Sequence, residues 1–208
     1  MSERIDPKEL FERNVPGVRE CLARKTVGVA GCGGTGSNAA VALTRAGIGK
    51  LILVDRDVVE PSNLNRQYYF LPDVGLPKAE TLASHLKRIN PGLTVTARVV
   101  ELTPGNVEDQ FEEADLLIEA FDRAESKQWL IETWCRLFPR RPVVCCSGLS
   151  GLGDTHSLRV RYAGQIVMCG DETTDMSLGL TSARVAIVAN MQANEAIALL
   201  VDRSKETT

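Results

Sequence analysis

The sequence lacks the features that mark several classes of protein. No apolar run approaches the roughly 20 residues that span a bilayer, and the opening MSERIDPKEL lacks the charged-then-apolar order of a signal peptide. The formal net charge of −3 offers no general attraction for nucleic acid or for an anionic membrane. These absences predict a cytoplasmic protein with neither a membrane nor a nucleic acid as its partner.

Residues for metal or nucleophilic chemistry are also few. The six cysteines include no Cys-x-x-Cys pair, and adjacent Cys145 and Cys146 would point to opposite faces of a strand, so they cannot readily bind one metal ion. Reduced thiols are their expected state. The two histidines, His85 and His156, lie in no recognisable catalytic pattern and are interpreted as structural.

What the sequence does contain is an alternation of apolar strands with helical segments, and 44% of its residues are apolar. Strands are predicted at 26–30, 50–55, 93–100, 114–121 and 142–148, and helices at 37–47, 78–90, 105–112 and 124–138. Because the strands are apolar throughout, they predict an α/β, Rossmann-like fold: a mostly parallel sheet with helices on both faces. The C-terminal third predicts an antiparallel hairpin turning at 163–164 and a helix over 182–202.

A glycine-rich turn, GVAGCGGTGSN at 28–38, lies between the first strand and its helix. The spacing Gly-x-Gly-x-x-Gly is met by Gly31, Gly33 and Gly36, and Gly34 is a fourth glycine. Backbone N–H groups at a helix N-terminus favour a phosphate there, and Ser37 could cap the helix or donate to that phosphate. Asp55, at the tip of the next strand, is placed to accept both ribose hydroxyls. NAD, ATP and a turn that only permits close packing remain open from these features alone.

The segment after Asp55 favours ATP over NAD. Two cations and two amides follow the ribose-binding strand: Asn63, Arg66, Gln67 and Lys78. A triphosphate needs such groups, because its charge must be neutralised and its oxygens held. A dehydrogenase needs an apolar floor and a catalytic acid or base instead. The alternative, in which Arg66 and Lys78 are ordinary solvated charges, stays open.

The stretch LLIEAFD at 116–122 ends in Asp122, at the predicted carboxyl end of a strand. Ligands of open α/β sheets bind at that edge. Mg²⁺ uses one or two carboxylates together with phosphate oxygens, so Asp122 is predicted to bind the Mg²⁺ of MgATP, while Glu119 should face away. Asp122 could also cap the helix that begins near Ala124.

In combination these motifs resemble the ThiF/MoeB/HesA superfamily, the bacterial relatives of the ubiquitin-activating enzymes. The resemblance covers nearly all of the chain and rests on Gly31–Ser37, Leu53–Asp57, Ser62–Gln67, Gly75–Ala79 and Asp122. The compact length and the C-terminal stretch are most similar to the short ThiF-like ThiS adenylyltransferases. A single domain over 1–208 is expected, with an N-terminal helical segment (1–25), a nucleotide-binding core (26–148) and a hairpin with the last helix (149–208).

The resemblance implies ATP-dependent adenylation of a carboxylate with release of pyrophosphate. The acceptor would be the C-terminus of a small ubiquitin-fold sulfur carrier that ends in Gly-Gly, such as ThiS of thiamine biosynthesis. The glycine loop would support the phosphates, with Asp55 and Asp57 in the cofactor site. The resemblance implies that Arg66 and Lys78 neutralise the triphosphate. The remaining implied roles are orientation of the triphosphate by Asn63 and Gln67 and Mg²⁺ binding by Asp122.

The resemblance also implies a homodimer in which an arginine near one subunit's N-terminus enters the other subunit's site. Arg13, in FERNVPG, matches that position, and a solvated charge at a helix end is the alternative. Arg123 stands where many relatives have asparagine. Longer relatives bind zinc through Cys-x-x-Cys pairs that are absent here, so no zinc is predicted. No position securely matches their covalent cysteine. Cys169 is the least buried-looking candidate, with an inert thiol as the alternative.

Several alternatives stay open on the sequence alone. The acidic stretch 170–176 is expected to be mobile, either crossing over the incoming tail of the carrier or only connecting two elements. ATP could activate another carboxylate, on a modified tRNA or on a peptide. A nicotinamide dehydrogenase and a non-catalytic scaffold that binds a carrier protein are two further readings.

Overall fold

A computed structural model describes the backbone of residues 9–205 and the side chains of residues 9–202. Its strands are β1 (Thr26–Ala30), β2 (Lys50–Val54), β3 (Thr94–Arg98), β4 (Leu116–Glu119), β5 (Val143–Cys146), β6 (Arg159–Ala163) and β7 (Ile166–Gly170). Its α-helices are α1 (Val18–Leu22), α2 (Gly34–Ala46), α3 (Lys78–Ile89), α4 (Val107–Phe111), α5 (Ala124–Leu137) and α6 (Ser182–Lys205). Every strand and helix expected from the sequence between residues 26 and 202 is present, with shifted ends.

The strands form one sheet in the order β3-β2-β1-β4-β5-β7-β6. All neighbouring pairs are parallel except β6 and β7, which form the antiparallel hairpin. The mostly parallel, Rossmann-like sheet with its C-terminal hairpin is therefore confirmed. The strand order runs in opposite directions from β1 and from β4, so the crevice between their carboxyl ends is the place where this kind of sheet binds ligands.

The sheet has a hydrophobic core on each face, because successive strand residues point to opposite sides. Leu51 and Leu53 join the core that contains α2, α3 and α6, whereas Ile52 and Val54 join the core that contains α4 and α5. Neighbouring Cys145 and Cys146 divide in the same way, as predicted. The helices on both faces therefore cover β1, β2, β4 and β5, whereas the edge strand β3 stays partly exposed.

Helix α6 is long and apolar enough, over Ser182–Asp202, to cross a membrane by length and composition alone. In this fold it packs along α2 and against the sheet. Val185, Val188 and Leu200 are buried in the core there. The helix thus has the packing of a core helix.

Helix α2 begins at Gly34, three residues before the predicted start, with Gly33 as its N-cap residue. The glycines themselves form the first turn, which the sequence pattern assigned to the loop. A Cβ added to Gly36 would lie 1.9 Å from the Gly31 carbonyl oxygen, so only glycine allows this turn to close. Ser37 therefore lies inside the helix and does not cap it.

Candidate functional site

A cavity of about 570 Å³ opens at the carboxyl ends of the parallel strands. Most of the predicted site residues line it: Gly31, Gly33, Gly34, Asp55, Asp57, Arg66, Gln67, Lys78 and Asp122. Arg123 lies in the lining as well. We call residues 31, 33–35, 54–57 and 120–124, which lie at or just after the ends of β1, β2 and β4, the strand-end part of its lining. We call the part that follows β5 and β7 the loop part; it consists of residues 147–150, 174–176 and 180.

Two glycines of the loop have different tasks in building the cavity. Gly31 adopts a left-handed conformation (φ +93°), and a Cβ on it would lie 2.9 Å from the Ala120 carbonyl oxygen. Its missing side chain therefore lets the ends of β1 and β4 approach each other. A Cβ on Gly33 would meet only Gln67 Nε2, at 3.7 Å, so the Gly33 backbone faces open space in the cavity.

Four predicted site residues lie outside the cavity lining: Arg13, Gly36, Ser37 and Asn63. The Ser37 hydroxyl donates to Gly33 O at 2.6 Å and accepts from Tyr68 N at 3.0 Å. Asn63 Oδ1 accepts from Glu60 N at 3.0 Å. The side chains of Ser37 and Asn63 are both buried. Together with Gly36, they shape the backbone around the cavity, a role the motif pattern alone did not distinguish from ligand contact.

Asp55 joins the ends of β1 and β2. Its Oδ2 accepts from Cys32 N at 2.6 Å and its Oδ1 from Asp57 N at 2.8 Å. Burial raises the pKa of the Asp55 carboxyl, while the two backbone hydrogen bonds oppose that rise. The carboxylate lines the cavity with lone pairs to spare, which suits an acceptor for hydroxyl groups.

Lys78 is 7% exposed and begins α3, where the helix dipole disfavours a cation. Its Nζ lies 3.2 Å from Asp57 Oδ2, the one carboxylate that partners it in the described chain. A buried ammonium with a single, half-exposed counter-charge favours a further anion in the cavity. The sequence prediction of a phosphate-binding lysine fits this geometry.

Arg66 and Gln67 reach the cavity from the turn that follows Asn63. Arg66 Nη1 donates to Ser62 O at 3.0 Å and to Asn65 Oδ1 at 2.7 Å, which holds the guanidinium beside the glycine loop. Gln67 Oε1 is buried and has no hydrogen-bond partner within the described part of the chain. A buried acceptor without a partner is costly, so a ligand donor or a water beside it would stabilise the site.

The connection after β4 holds Asp122 in the cavity without a partner. Among residues 9–202, no group forms a hydrogen bond or an ion pair with its carboxylate. The helix-capping alternative is wrong, because Arg123 occupies the N-cap position of α5 and no side chain caps that helix. Asp122 is thus a free carboxylate facing the same space as Arg66 and Lys78.

Glu119, three residues earlier, is completely buried and lies outside the lining, as predicted. Its Oε1 accepts from Phe121 N at 2.7 Å, and its Oε2 lies 3.0 Å from Lys127 Nζ. Burial raises the pKa of Glu119, and the Lys127 charge opposes that rise. This pair holds the connection that carries Asp122. Lys127 also lines the cavity, which the sequence analysis missed because only the fold brings it to Glu119.

The loop part contradicts one expectation about residues 170–176. Asp171 is buried and pairs with Arg184, with Nη2 and Oδ2 2.5 Å apart. Burial alone would raise the pKa of Asp171, but hydrogen bonds from Thr174, Thr173 and Arg184 lower it below its usual value. The segment is therefore tied to the fold at its start, so the alternative of a merely solvated connection does not hold at Asp171.

The structure also corrects the position of Cys169. The thiol is completely buried, and burial raises its pKa to about 12. A thiol with this pKa is protonated at neutral pH, so the geometry favours the inert alternative over the nucleophile. His85 has a structural setting, since its Nε2 lies 2.7 Å from Asp73 Oδ2, outside the lining. Arg13 lies exposed in a turn, and its role in a second subunit stays a prediction.

Comparison with known proteins finds likeness along nearly the whole chain. A model of the ThiF family matches residues 8–208. The chain is 32% identical over 192 residues to the adenylyltransferase and sulfurtransferase UBA4 of Yarrowia lipolytica, covering 86% of this chain and 46% of that protein. It is 30% identical over 217 residues to the sulfur carrier protein ThiS adenylyltransferase of Bacillus subtilis, covering 99% of this chain and 63% of that protein. The chain therefore spans about half to two thirds of these relatives.

A solved structure extends the likeness to the whole fold. The E. coli tRNA N6-threonylcarbamoyladenosine dehydratase TcdA, in complex with ATP, superposes with a TM-score of 0.84 and 25% sequence identity. The match covers 96% of this chain and 95% of that one. The names of these proteins differ in what they act on, and the E. coli enzyme has the fold that builds this cavity.

Proposed function

This chain belongs to the ThiF family, and from that premise and the geometry of the cavity we propose that it binds ATP and adenylates a carboxylate, releasing pyrophosphate. The acceptor we propose is the C-terminal carboxylate of a small ubiquitin-fold sulfur carrier protein that ends in Gly-Gly, similar to ThiS. The similarity to the ThiS adenylyltransferase supports this choice of acceptor, because it extends over 99% of the chain. We also propose that this protein acts in the cytoplasm.

One observation carries the proposal. Arg66, Lys78 and Asp122 come from three separated segments, and all three line the cavity above Gly31, Gly33 and Gly34. Two cations and one free carboxylate over a glycine-rich helix N-terminus match the charge of a metal-bound triphosphate. A nicotinamide site needs none of these groups, so the dehydrogenase alternative explains the lining less well.

The reaction that fits this lining is an in-line displacement. A carboxylate oxygen of the acceptor forms a bond to the α-phosphorus of ATP. The bond between that phosphorus and the oxygen bridging to the β-phosphate breaks, and pyrophosphate leaves with the electron pair. No proton has to move in this step, so positioning and charge stabilisation do the catalysis. Lys78 and Arg66 would stabilise the charge that gathers on the leaving pyrophosphate.

The residues fit a magnesium ion that arrives with ATP. Asp122 offers a carboxylate with no other partner in the described chain, and Mg²⁺ is commonly held by one or two carboxylates plus phosphate oxygens. When bound, the ion would neutralise phosphate charge. No group of three or more potential ligands among His, Cys, Asp and Glu occurs in residues 9–202, which fits a metal site that needs the nucleotide for completion.

We further propose that two copies of the chain act together. Arg13 is exposed and lies outside the lining of its own cavity. An arginine in that position is free to enter the cavity of a second copy, where it would add positive charge beside the phosphates. A mixture of Asp122→Ala and Arg13→Ala chains, each inactive alone, should then regain part of the activity.

The test is exchange of labelled pyrophosphate into ATP in the presence of different acceptors. We expect exchange with at least one ubiquitin-fold carrier that ends in Gly-Gly, and none when its last glycine is removed. Exchange only with tRNA that carries threonylcarbamoyladenosine would instead support the second acceptor, which the likeness to the E. coli tRNA enzyme favours. A thermal shift with NAD and none with MgATP would refute both.

A further inference from the structure

A buried hydrogen-bonded group lies beneath the loop part of the cavity. Asp171 is 2% exposed and accepts from Thr173 N at 2.7 Å and from Thr174 N at 2.8 Å. Both threonine hydroxyls also bond its carboxylate. Thr174, Asp175 and Met176 line the cavity directly after this group, so Asp171 sets where the chain turns into the cavity.

Arg184 completes the group from the first turn of α6. It is 4% exposed, and its Nη2 lies 2.5 Å from Asp171 Oδ2. Its Nη1 donates to Gly153 O at 2.6 Å and to Asp154 O at 3.3 Å. One guanidinium thus connects the loop after β7 with the loop after β5, two segments that are distant in sequence.

Local preferences do not explain this arginine. A cation in the first turn of a helix interacts unfavourably with the helix dipole. The desolvation of a buried ion pair also offsets much of the attraction between its two charges. An apolar side chain would satisfy the helix more simply. What Arg184 adds is a fixed geometry, because its planar fork bonds a carboxylate and two carbonyl oxygens at once.

Further bonds hold the two loops together near the cavity. Gly151 N donates to Gly179 O at 2.8 Å, and Thr181 Oγ1 donates to Gly151 O at 2.9 Å. Ser150 N donates to Thr174 Oγ1 at 3.3 Å, beside the Asp171 carboxylate. The loop part of the lining is therefore one connected unit whose only buried charges are those of Asp171 and Arg184, among the described residues of the two loops and the first turn of α6.

We propose that Asp171 and Arg184 are positioning residues that hold the loop part of the cavity in the shape that receives the acyl acceptor. The inference rests on the proposed function, since it assigns the strand-end part to ATP and the loop part to the acceptor. Neither residue touches the reacting atoms. Loss of the pair should therefore weaken acceptor binding and leave ATP binding intact, because no group of the strand-end part bonds to either residue in the described chain.

The experiment compares Arg184→Met with Arg184→Lys, with Asp171→Asn and with the control Arg159→Met. Arg159 belongs to the same region and contacts Glu172, but it is exposed. The probe for the acceptor is a Gly-Gly-ending ubiquitin-fold carrier in pyrophosphate exchange, with ATP affinity measured by calorimetry. Hydrogen–deuterium exchange of residues 171–181 and 31–37 reports the position of each part directly.

For Arg184→Met we expect about a tenfold rise in the KM for the carrier, with the Kd for ATP changed less than about twofold. Amides at 171–181 should exchange faster and those at 31–37 should not. Arg184→Lys should recover part of the effect, because one ammonium can bond Asp171 but cannot hold both loops. Arg159→Met should match the unchanged protein.

Three results would overturn the inference: unchanged hydrogen exchange at 171–181, an equal loss of ATP and carrier binding, or an unchanged KM for the carrier. If Arg184→Met does not fold, Asp171→Asn decides, since it keeps an acceptor of the same shape and removes the charge. Absence of exchange with every carrier in the unchanged protein would refute the proposed function. The hydrogen-exchange result would then still decide whether the pair holds the loops.

Discussion

The strand-end part and the loop part of the cavity are built in different ways. The strand-end part consists of short turns that follow β1, β2 and β4, so each of its residues lies within a few positions of a buried strand. The loop part comes from two long connections, after β5 and β7, that hydrogen-bond to each other and to α6. One part is positioned by the sheet and the other by contacts between segments distant in sequence.

Under the proposed function, the strand-end part would serve the common reaction and the loop part would set the acceptor. Parallel strands place their ends at one edge, so the glycine loop, Asp55 and Asp122 meet there. The loops can change in length or contact without disturbing that edge, because they pack outside it. The ThiS adenylyltransferase of Bacillus subtilis matches 99% of this chain in sequence, and the E. coli tRNA enzyme TcdA superposes on its fold.

The largest effect should come from Asp122, in the strand-end part. Asp122→Ala should lower pyrophosphate exchange by about a thousandfold or more, because the other carboxylates of the lining, on Asp55, Asp57, Glu101 and Asp175, already have partners in the described chain. The thermal stability should stay unchanged, since the side chain has no partner to lose within residues 9–202. Asp109→Ala, at an exposed position of α4, is the matched control. Exchange that survives in Asp122→Ala would remove this residue from the reaction.

The glycines separate packing from ligand contact within the strand-end part. Gly36→Ala places a Cβ 1.9 Å from Gly31 O, and we expect it to destabilise the protein by about 3 kcal/mol. Gly33→Ala meets no protein atom closer than 3.7 Å, so it should lower ATP affinity about tenfold and change stability by less than about 0.5 kcal/mol. Urea unfolding and calorimetry measure the two effects. Equal stabilities of the two variants would contradict the assignment of Gly36 to packing and of Gly33 to ligand contact.

The Glu119–Lys127 pair tests how the connection to Asp122 is held. Lys127→Met leaves a buried carboxylate alone, and we expect a loss of about 3 kcal/mol at neutral pH. Burial already raises the pKa of Glu119, and the loss of the Lys127 charge raises it further. At low pH the Glu119 side chain of the folded variant is therefore protonated and neutral. A raised folded-state pKa makes stability fall as pH rises. The deficit should thus be smallest near about pH 4 and grow toward about pH 8.

Urea unfolding across that pH range measures the deficit. The double variant Glu119→Gln with Lys127→Met should lose this pH dependence, because neither of the two positions then carries a charge. Lys50→Met is the control: its partner Glu113 is exposed, so the loss should be much smaller. A flat deficit in Lys127→Met would show that Glu119 does not depend on Lys127 for its charge.

The smallest effect should come from Cys169 on β7, beside the loop part. Cys169→Ala should leave pyrophosphate exchange within about twofold of the original and cost about 1 kcal/mol of stability, from the small cavity left behind. The reason is full burial, with the pKa of the thiol raised to about 12. A covalent adduct between the carrier and Cys169 in mass spectrometry would contradict this.

Most of the fold and the strand-end part could be predicted from the sequence. Apolar strand patterns and the glycine spacing are local, and Asp55 and Asp122 lie one and three residues after the ends of β2 and β4. The sequence was less informative where the same residue type can either contact a ligand or hold the backbone. Ser37 and Asn63 belong to the right motifs, yet their side chains are bonded to backbone at Gly33, Tyr68 and Glu60.

By itself, the sequence determined the order of strands and helices, and hence the edge of the sheet at which the glycine loop, Asp55 and Asp122 meet. Hydrophobic periodicity and turn chemistry act over a few residues, so they are readable along the chain. Only the tertiary structure decided that Lys127 bonds Glu119, that Arg184 bonds Asp171 and that Cys169 is buried. Each of these depends on two segments meeting in space, and no local preference specifies that meeting. The arginine in the first turn of α6 even opposes its local preference, because the contact it makes across the fold outweighs the dipole of its own helix.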